Sequence, residues 1–393
     1  MRFVAYGGLF VALAVTVTRC AGYRVAVEGR QGSTRDSSPV DLTSGAAEPL
    51  FDDDFRGAEV RNVVVLIADG MGFSHILAAR SELGGLNRRL GFERMPVTGW
   101  LTTWEADSLI PDSASTATAM VTGFKTARGY LSMDREGRPL RTVLEAAAER
   151  GMAAGLVTDS YLWDATVAAF AVHAERRDYP EIAAQMSRSG AEVLFGEACR
   201  RCFDDDEWTR VLAGLGSGGY TVLSSWEAAA GLVPGGKVAG LFGNRAVADR
   251  ELSPNLEQLA AFSLERLAAD PDGFLLVVET EETDTASHRH ELRRMVEGIG
   301  ALDQAAAVVL DFARRDRSTL VLLTADHETG GLSLLSGDQG EKLGIRWSTS
   351  GHTGLPVPLF AYGPGAESFA GARDNTDVAR ILARLLGLEM GKP

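Results

Sequence analysis

The sequence is poor in the residues that build small cross-linked or nucleic-acid-binding scaffolds. Three cysteines in 393 residues exclude a disulfide-dense fold. Basic side chains are in deficit: 39 Lys and Arg against 53 Asp and Glu give a formal charge of −14. That balance argues against general nucleic-acid binding, which needs a basic face. It does not exclude phosphate ligands, because bound divalent cations can reverse the local field. Apart from residues 3–18 there is no long uncharged stretch near the N-terminus, and those sixteen fall short of the roughly 20 that a membrane span needs. No internal repeat and no Pro/Ser-rich linker interrupts residues 60–390, which implies one large domain. What remains is ordinary for a globular chain: 45% hydrophobic and 23% charged residues, enough to exclude disorder.

Met1-Arg2 followed by residues 3–18 reads as an export signal, with Ala12-Leu13-Ala14 as an A-x-A cleavage pattern. Cys20 stands where a lipid-modified cysteine would, but Arg19 occupies the place of the small residue which that motif requires. Residues 1–22 are therefore expected to be a signal peptide or N-terminal anchor, making the chain periplasmic, secreted or membrane-anchored. Residues 23–59, polar and without periodicity, are expected to be a tether, and residues 60–393 a single catalytic domain. In an exported chain Cys199 and Cys202 would close a small disulfide; as a zinc site they provide only two of four ligands.

Residues 63–67 form a short, continuous β-branched run, the pattern of a strand buried on both faces. Similar runs occur at 155–157, 192–195, 274–278, 320–323 and 358–362. Helical patterns lie between them at 141–150, 180–189, 256–269, 291–315 and 374–387. This alternation implies an α/β three-layer sandwich around a largely parallel sheet. Asp69, Glu279 and Asp326-His327 each follow such a run. In an open α/β sheet they would converge beyond the carboxyl ends of the strands, where ligands bind. Burying that much negative charge is costly unless cations compensate.

The spacing of other candidates fits metal ligation. Asp284 and His288 are four apart and share one helical face. His352 sits in the loop Gly351-His352-Thr353-Gly354. Mixed nitrogen and oxygen ligands suit Zn²⁺; the oxygens of Glu279 and Thr166 suit Mg²⁺. An Asp-x-x-x-His pair is also a common surface ion pair, and His75, His173 and His290 are not read as ligands. Residues 111–119 look like a helix entered through Asp112 or Ser113 as a cap. A hydroxyl there would face an anion at a helix N-terminus. Composition leaves Ser113, Ser115 and Thr116 equally open.

Taken in order, several segments resemble the alkaline phosphatase family. They are Asp69-Gly70-Met71-Gly72, residues 112–119, residues 122–126, Asp164-Ala165-Thr166 and residues 173–177. Glu279 with Asp284 and His288, residues 324–327 and residues 351–354 complete the set, which spans about residues 60–390. The resemblance implies an alkaline phosphatase fold and hydrolysis of phosphate monoesters through a phosphoserine, with two Zn²⁺ and one Mg²⁺. It assigns Asp284, His288 and His352 to the first zinc site. Asp69, Asp326 and His327 go to the second, with Ser113 as nucleophile reaching that metal. Asp69, Thr166 and Glu279 go to magnesium, Asp164 stands behind that site, and Arg177 binds the phosphate.

Two features depart from the family pattern. Thr285 follows Asp284 where relatives carry a longer side chain that reaches toward phosphate or the third metal. Only 26 positions separate Asp326 from His352, too few for the large surface subdomain of some relatives, so a homodimer built on one is less expected. The alternatives are a phosphodiesterase or other hydrolase of the same superfamily, and a non-catalytic zinc or phosphate binder. The expected partners are small phosphate monoesters; a membrane anchor and a homodimer stay open.

Overall fold

The computed structural model describes residues 37–391 apart from 44, 233–234 and 244–253. The expected export segment and Cys20 lie outside the described residues. Ten strands form one sheet. They are β1 (Asn62–Ala68), β2 (Val97–Thr102), β3 (Ala153–Tyr161), β4 (Val193–Glu197) and β5 (Tyr220–Leu223), then β6 (Lys237–Leu241), β7 (Phe274–Thr280), β8 (Thr319–Thr324), β9 (Val357–Tyr362) and β10 (Gly371–Asp374). Their spatial order is β10-β2-β9-β8-β1-β7-β3-β4-β6-β5. All pairs are parallel except those that β9 makes with β8 and β2. β1, β7 and β8 are buried along their whole length, which is why they read as unbroken apolar runs rather than alternating ones.

Among the described residues ten α-helices accompany the sheet: α1 (Phe73–Leu83), α2 (Ser113–Thr122), α3 (Val143–Glu149), α4 (Ala165–Ala168), α5 (Tyr179–Met186), α6 (Asp205–Ser217), α7 (Leu256–Leu267), α8 (Glu282–His288), α9 (Leu292–Asp316) and α10 (Thr376–Leu386). α1, α7, α8 and α9 pack together as one layer, and α2, α3, α4 and α10 as another. Both layers touch β7, which gives the expected three-layer α/β sandwich. Strands β2, β5, β6 and β10 and helices α1, α4 and α6 escaped the sequence reading. β2 and β10 each contain or begin at a glycine, and both are only partly buried, so their apolar signal is thin.

Residues 37–59 do not behave as a free tether. Val40 is buried and its N–H donates to the Glu341 carbonyl at 2.7 Å. Phe51 and Phe55 pack on Tyr362, with ring centroids 5.3 and 5.2 Å away. Asp53 accepts from Arg314, Arg317 and the Tyr362 hydroxyl. Low periodicity was a poor guide here, because the segment is held by scattered anchors rather than by a regular face. Cys199 and Cys202 are disulfide-bonded. Among the described residues no helix is long and apolar enough to cross a membrane.

Candidate metal and nucleophile site

The carboxyl ends of β8, β1 and β7 deliver Asp326-His327, Asp69 and Glu279 to one buried crevice. Gly70 turns the chain immediately after Asp69 at φ +75°. A Cβ there would lie 2.8 Å from Thr329 Oγ1 and 2.9 Å from Asp284 Oδ1, so the turn needs glycine on both counts. α8 brings Asp284 and His288, whose Nε2 stands 3.1 Å from Asp284 Oδ2. The short hairpin of Leu332–Ser336 and Gly344–Trp347 occupies the interval before His352, and no larger subdomain interrupts it.

Ligand atoms converge in overlapping sets. Asp69, Asp326 and His327 place one atom each within 4.8 Å of one another, and so do Asp284, His327 and His352. His288 Nε2 lies 3.2 Å from His352 Nε2. The outer nitrogens fix the rings: His352 Nδ1 donates to the Pro111 carbonyl at 2.8 Å and His288 Nδ1 to the Ser350 carbonyl at 2.6 Å. Each Nε2 is thereby aimed inward, the usual second contact of a metal-binding imidazole. Thr166 Oγ1 donates to Asp69 Oδ2 at 3.3 Å and also hydrogen-bonds Glu279, so these three form an oxygen-only corner.

The electrostatics call for cations. Burial, then the charge of Asp326, raises the Asp69 carboxyl well above its ordinary value. Burial also raises Glu279, and lifts Asp326 to about 6. Asp69 Oδ1 and Glu279 Oε2 are buried without a hydrogen-bond donor. Burial lowers His327 to about 4, and burial with the neighbouring His327 lowers His352 to about 4. Carboxylates and neutral imidazoles crowded this way fit divalent metals, which would relieve both the repulsion and the orphaned oxygens.

Ser113 opens α2 with Asp112 as N-cap, the Asp112 side chain accepting from Ser115 N at 2.9 Å. Ser113 Oγ lies 3.3 Å from His327 Nε2. The other two hydroxyls are engaged. Ser115 Oγ donates to Glu105 at 2.8 Å, and Thr116 Oγ1 lies within hydrogen-bonding distance of Asp326 and of the Asp112 and Ser113 carbonyls. Asp164 caps α4, accepting from Ala165 N at 2.8 Å. Thr285 turns its hydroxyl to Glu281 at 2.6 Å.

One assignment changes. Arg177 is exposed, whereas Arg176 reaches the site, with Nη1 3.0 Å from Asp112 Oδ2 and Nη2 3.6 Å from Asp164 Oδ1. The reason is strand parity. Ala174–Glu175 pairs with Tyr130–Leu131 and Arg176 N donates to Gly129 O, so Ala174 and Arg176 face inward while Glu175 and Arg177 face out. Counting positions along the motif cannot see that alternation; only two residues are formally strand. Thr329, which donates to Asp284, and the Pro111 and Ser350 carbonyls were also missed. The three remaining histidines have other partners: His75 accepts from Gly72 N, His173 pairs with Glu145, and His290 bonds the Thr349 carbonyl.

Comparison with known proteins identifies the family and the fold. The alkaline phosphatase family model matches residues 60–205, 237–343 and 336–388. Alkaline phosphatase 4 of Bacillus subtilis is 28% identical, with 84% of this chain and 89% of the relative covered. Streptomycin-6-phosphate phosphatase of Streptomyces griseus is 29% identical over 91% of this chain and 98% of its own. Among solved structures, a cold-active alkaline phosphatase from the psychrophile Shewanella sp. superposes with a TM-score of 0.75 at 26% identity, covering 83% of this chain and 99% of that one. The alkaline phosphatase of the Antarctic bacterium TAB5 superposes with a TM-score of 0.72, also at 26% identity, covering 84% and 99%. The family match spans well over half of the chain, with the ligand sets in one crevice, and on that ground this protein belongs to the alkaline phosphatase family.

Proposed function

We propose that the protein hydrolyses phosphate monoesters by transferring the phosphoryl group first to Ser113 and then to water. The observation that carries this reading is the free aim of Ser113 Oγ into the crevice, 3.3 Å from His327 Nε2, while Ser115 and Thr116 are tied elsewhere. Asp284, His288 and His352 would hold one Zn²⁺; Asp69, Asp326 and His327 would hold a second, with Ser113 beside it. Asp69, Thr166 and Glu279 would hold Mg²⁺, a reading supported by the TAB5 mutant described with Mg in its M3 site. When bound, the paired zinc ions supply positive charge to the attacking and leaving oxygens of an in-line displacement.

The chain's own residues do the rest. The Ser113 proton passes to solvent as its oxygen bonds to phosphorus, and the ester oxygen departs with the electron pair of the broken O–P bond and takes up a proton from solvent; a water oxygen then bonds to phosphorus, the Ser113 O–P bond breaks, and the proton lost by that water balances the one that Ser113 regains. Arg176, in place of the expected Arg177, presents a planar pair of donors to two non-bridging oxygens. Asp112 and Asp164 hold that guanidinium, and their charges keep it firmly protonated against the effect of burial. This fork and the oxygen-only corner favour a monoester dianion over a diester.

The test is turnover of an aryl phosphate at alkaline pH with and without a chelator, with mass spectrometry of the quenched enzyme. Phosphate is expected on Ser113, and Ser113→Ala is expected to lose at least about a thousandfold in kcat. Phosphate on Ser115 or Thr116 would reassign the nucleophile; no turnover in metal-replete protein would end the reading. We also propose export, resting on residues 1–22; fractionation of cells making the full chain and one lacking those residues tests it.

A further inference from the structure

Behind the nucleophile lies a buried carboxylate with no task in that scheme. Glu105 is 3% exposed. Its Oε2 accepts from the Asp112 N–H at 3.2 Å and from Ser115 Oγ at 2.8 Å. Its Oε1 accepts from Arg128 Nε and Nη2, both at 3.2 Å. Glu105 and Ser108 exchange both backbone bonds, at 3.0 and 3.3 Å, and Ala106 N donates to Thr126 O, so the carboxylate springs from a closed turn. Arg128 Nη2 also bonds the Ile110 carbonyl at 2.7 Å, clasping the loop that leads to Pro111.

Two acids therefore stand back to back at the start of α2. Asp112 faces the crevice, accepts from Ser115 N and Gly129 N, and takes Arg176. Glu105 faces away from it and takes Arg128. The backbone N–H of Asp112 is shared between Ser115 Oγ at 3.3 Å, the reciprocal half of the capping box, and Glu105 Oε2 at 3.2 Å; Glu105, bonded to both that N–H and the Ser115 hydroxyl, helps to fix the peptide that carries the cap and Ser113. The same carboxylate adds an acidic group directly behind the helix start from which Ser113 projects into the crevice. At short range and partly out of water, such a charge repels an anion strongly unless it is compensated.

We propose that Glu105 and Arg128 are a positioning couple for the reaction. Glu105 holds Asp112 and Ser115 and thereby aims Ser113 and Arg176, and Arg128 cancels the Glu105 charge toward incoming phosphate. The proposal rests on the phosphomonoesterase reading of the same site. It differs from a merely structural role in what it requires of phosphate affinity. Removing Arg128 alone must weaken phosphate, and removing the Glu105 charge as well must restore it.

The experiment compares Glu105→Ala, Glu105→Gln, Arg128→Met and the Glu105→Gln/Arg128→Met double variant in the metal-loaded enzyme. Each is measured for kcat, KM and calorimetric binding of inorganic phosphate, with circular dichroism as the check on fold. Glu105→Ala should lose about tenfold or more in kcat, while Glu105→Gln, which keeps an acceptor for the Asp112 N–H, should stay within about threefold. Arg128 is 58% exposed, so Arg128→Met should fold normally. It should weaken phosphate about three- to tenfold, less at high salt, with kcat little changed. The double variant should bind phosphate nearly as the wild type does. Equal phosphate affinity in Arg128→Met and the wild type, or no recovery in the double variant, would overturn the proposal even if Glu105→Ala fails to fold. Wild-type turnover reports separately on the phosphatase reading.

Discussion

The same sheet is used in two ways at its carboxyl edge. β8, β1 and β7 end in Asp326-His327, Asp69 and Glu279, all buried, with two carboxylate oxygens lacking donors. β4 and β6, a few strands away, run parallel to them but end against an aromatic cluster. Phe195 on β4 packs with Trp226, Phe242 and Phe262 at centroid distances of 6.5, 5.7 and 5.5 Å, and Cys199 and Cys202 close the loop that follows. β1 and β4 are three steps apart in strand order, about 14 Å at ordinary strand spacing. One edge thus holds a constellation that destabilises itself without cations, and the other a self-sufficient apolar core. Identical strand geometry does not decide which; the residues after each strand do.

The sharpest way to break the comparison is chelation. Stripping metal should cost at least about a thousandfold in activity and lower the melting temperature, since Asp69, Glu279 and Asp326 are left facing one another. Zinc should restore activity and magnesium raise it further; elemental analysis and differential scanning calorimetry check this. The mirror experiment is Phe195→Ala. It should cost about 3–5 kcal/mol in urea unfolding, yet leave kcat of the folded fraction nearly unchanged. A large loss of kcat there would mean that the two regions are coupled.

Smaller effects sharpen the boundary of the site. Arg176→Ala should raise the phosphate inhibition constant about ten- to a hundredfold, from loss of about 1.5–3 kcal/mol of charge-assisted bonding. Arg177→Ala should change it less than about twofold. Inhibition titrations on the two variants decide which of the adjacent arginines binds phosphate. The smallest effect concerns His173, outside both regions. Burial acts to lower its pKa, but the hydrogen bonds it donates to the Glu145 carboxylate and the Ser132 carbonyl outweigh it and leave it raised above 6.5. Its charged form therefore adds stability that is complete below about pH 6.5 and fades as pH climbs through the raised value. His173→Gln should cost about 1 kcal/mol at pH 6 and less at pH 9, read from urea unfolding at both.

The central strands and the ligands after them were legible because burial on both faces makes an unbroken apolar run, and an acid after such a run has few bland explanations. The pair Asp284 and His288 was legible through helical spacing. Arg176 was not, because a two-residue strand carries too short a period to announce which face is inward. Glu105 was invisible for another reason: its partners Asp112, Ser115 and Arg128 lie seven, ten and 23 positions away across a loop. No local pattern relates them. Among Ser113, Ser115 and Thr116, the sequence gives three equivalent hydroxyls, and only their hydrogen-bond partners tell them apart.

The segment before β1 also changes how damage to the chain would be felt. Phe51, Asp53 and Phe55 bind α9 and β9, more than 250 positions further along. Residues 45–47 are exposed. A protease nick there would cut the piece bearing Val40 from the rest, yet the buried Val40, bonded to Glu341 and Gly340, would keep that piece in place, while Phe51 and Phe55 stay seated on Tyr362. Such a nick would appear on a denaturing gel as a shortened polypeptide while the native particle kept its size. The Val40 anchor and the Phe51–Phe55 clasp thus hold the segment on either side of its exposed stretch, so its seating does not depend on the covalent link between them.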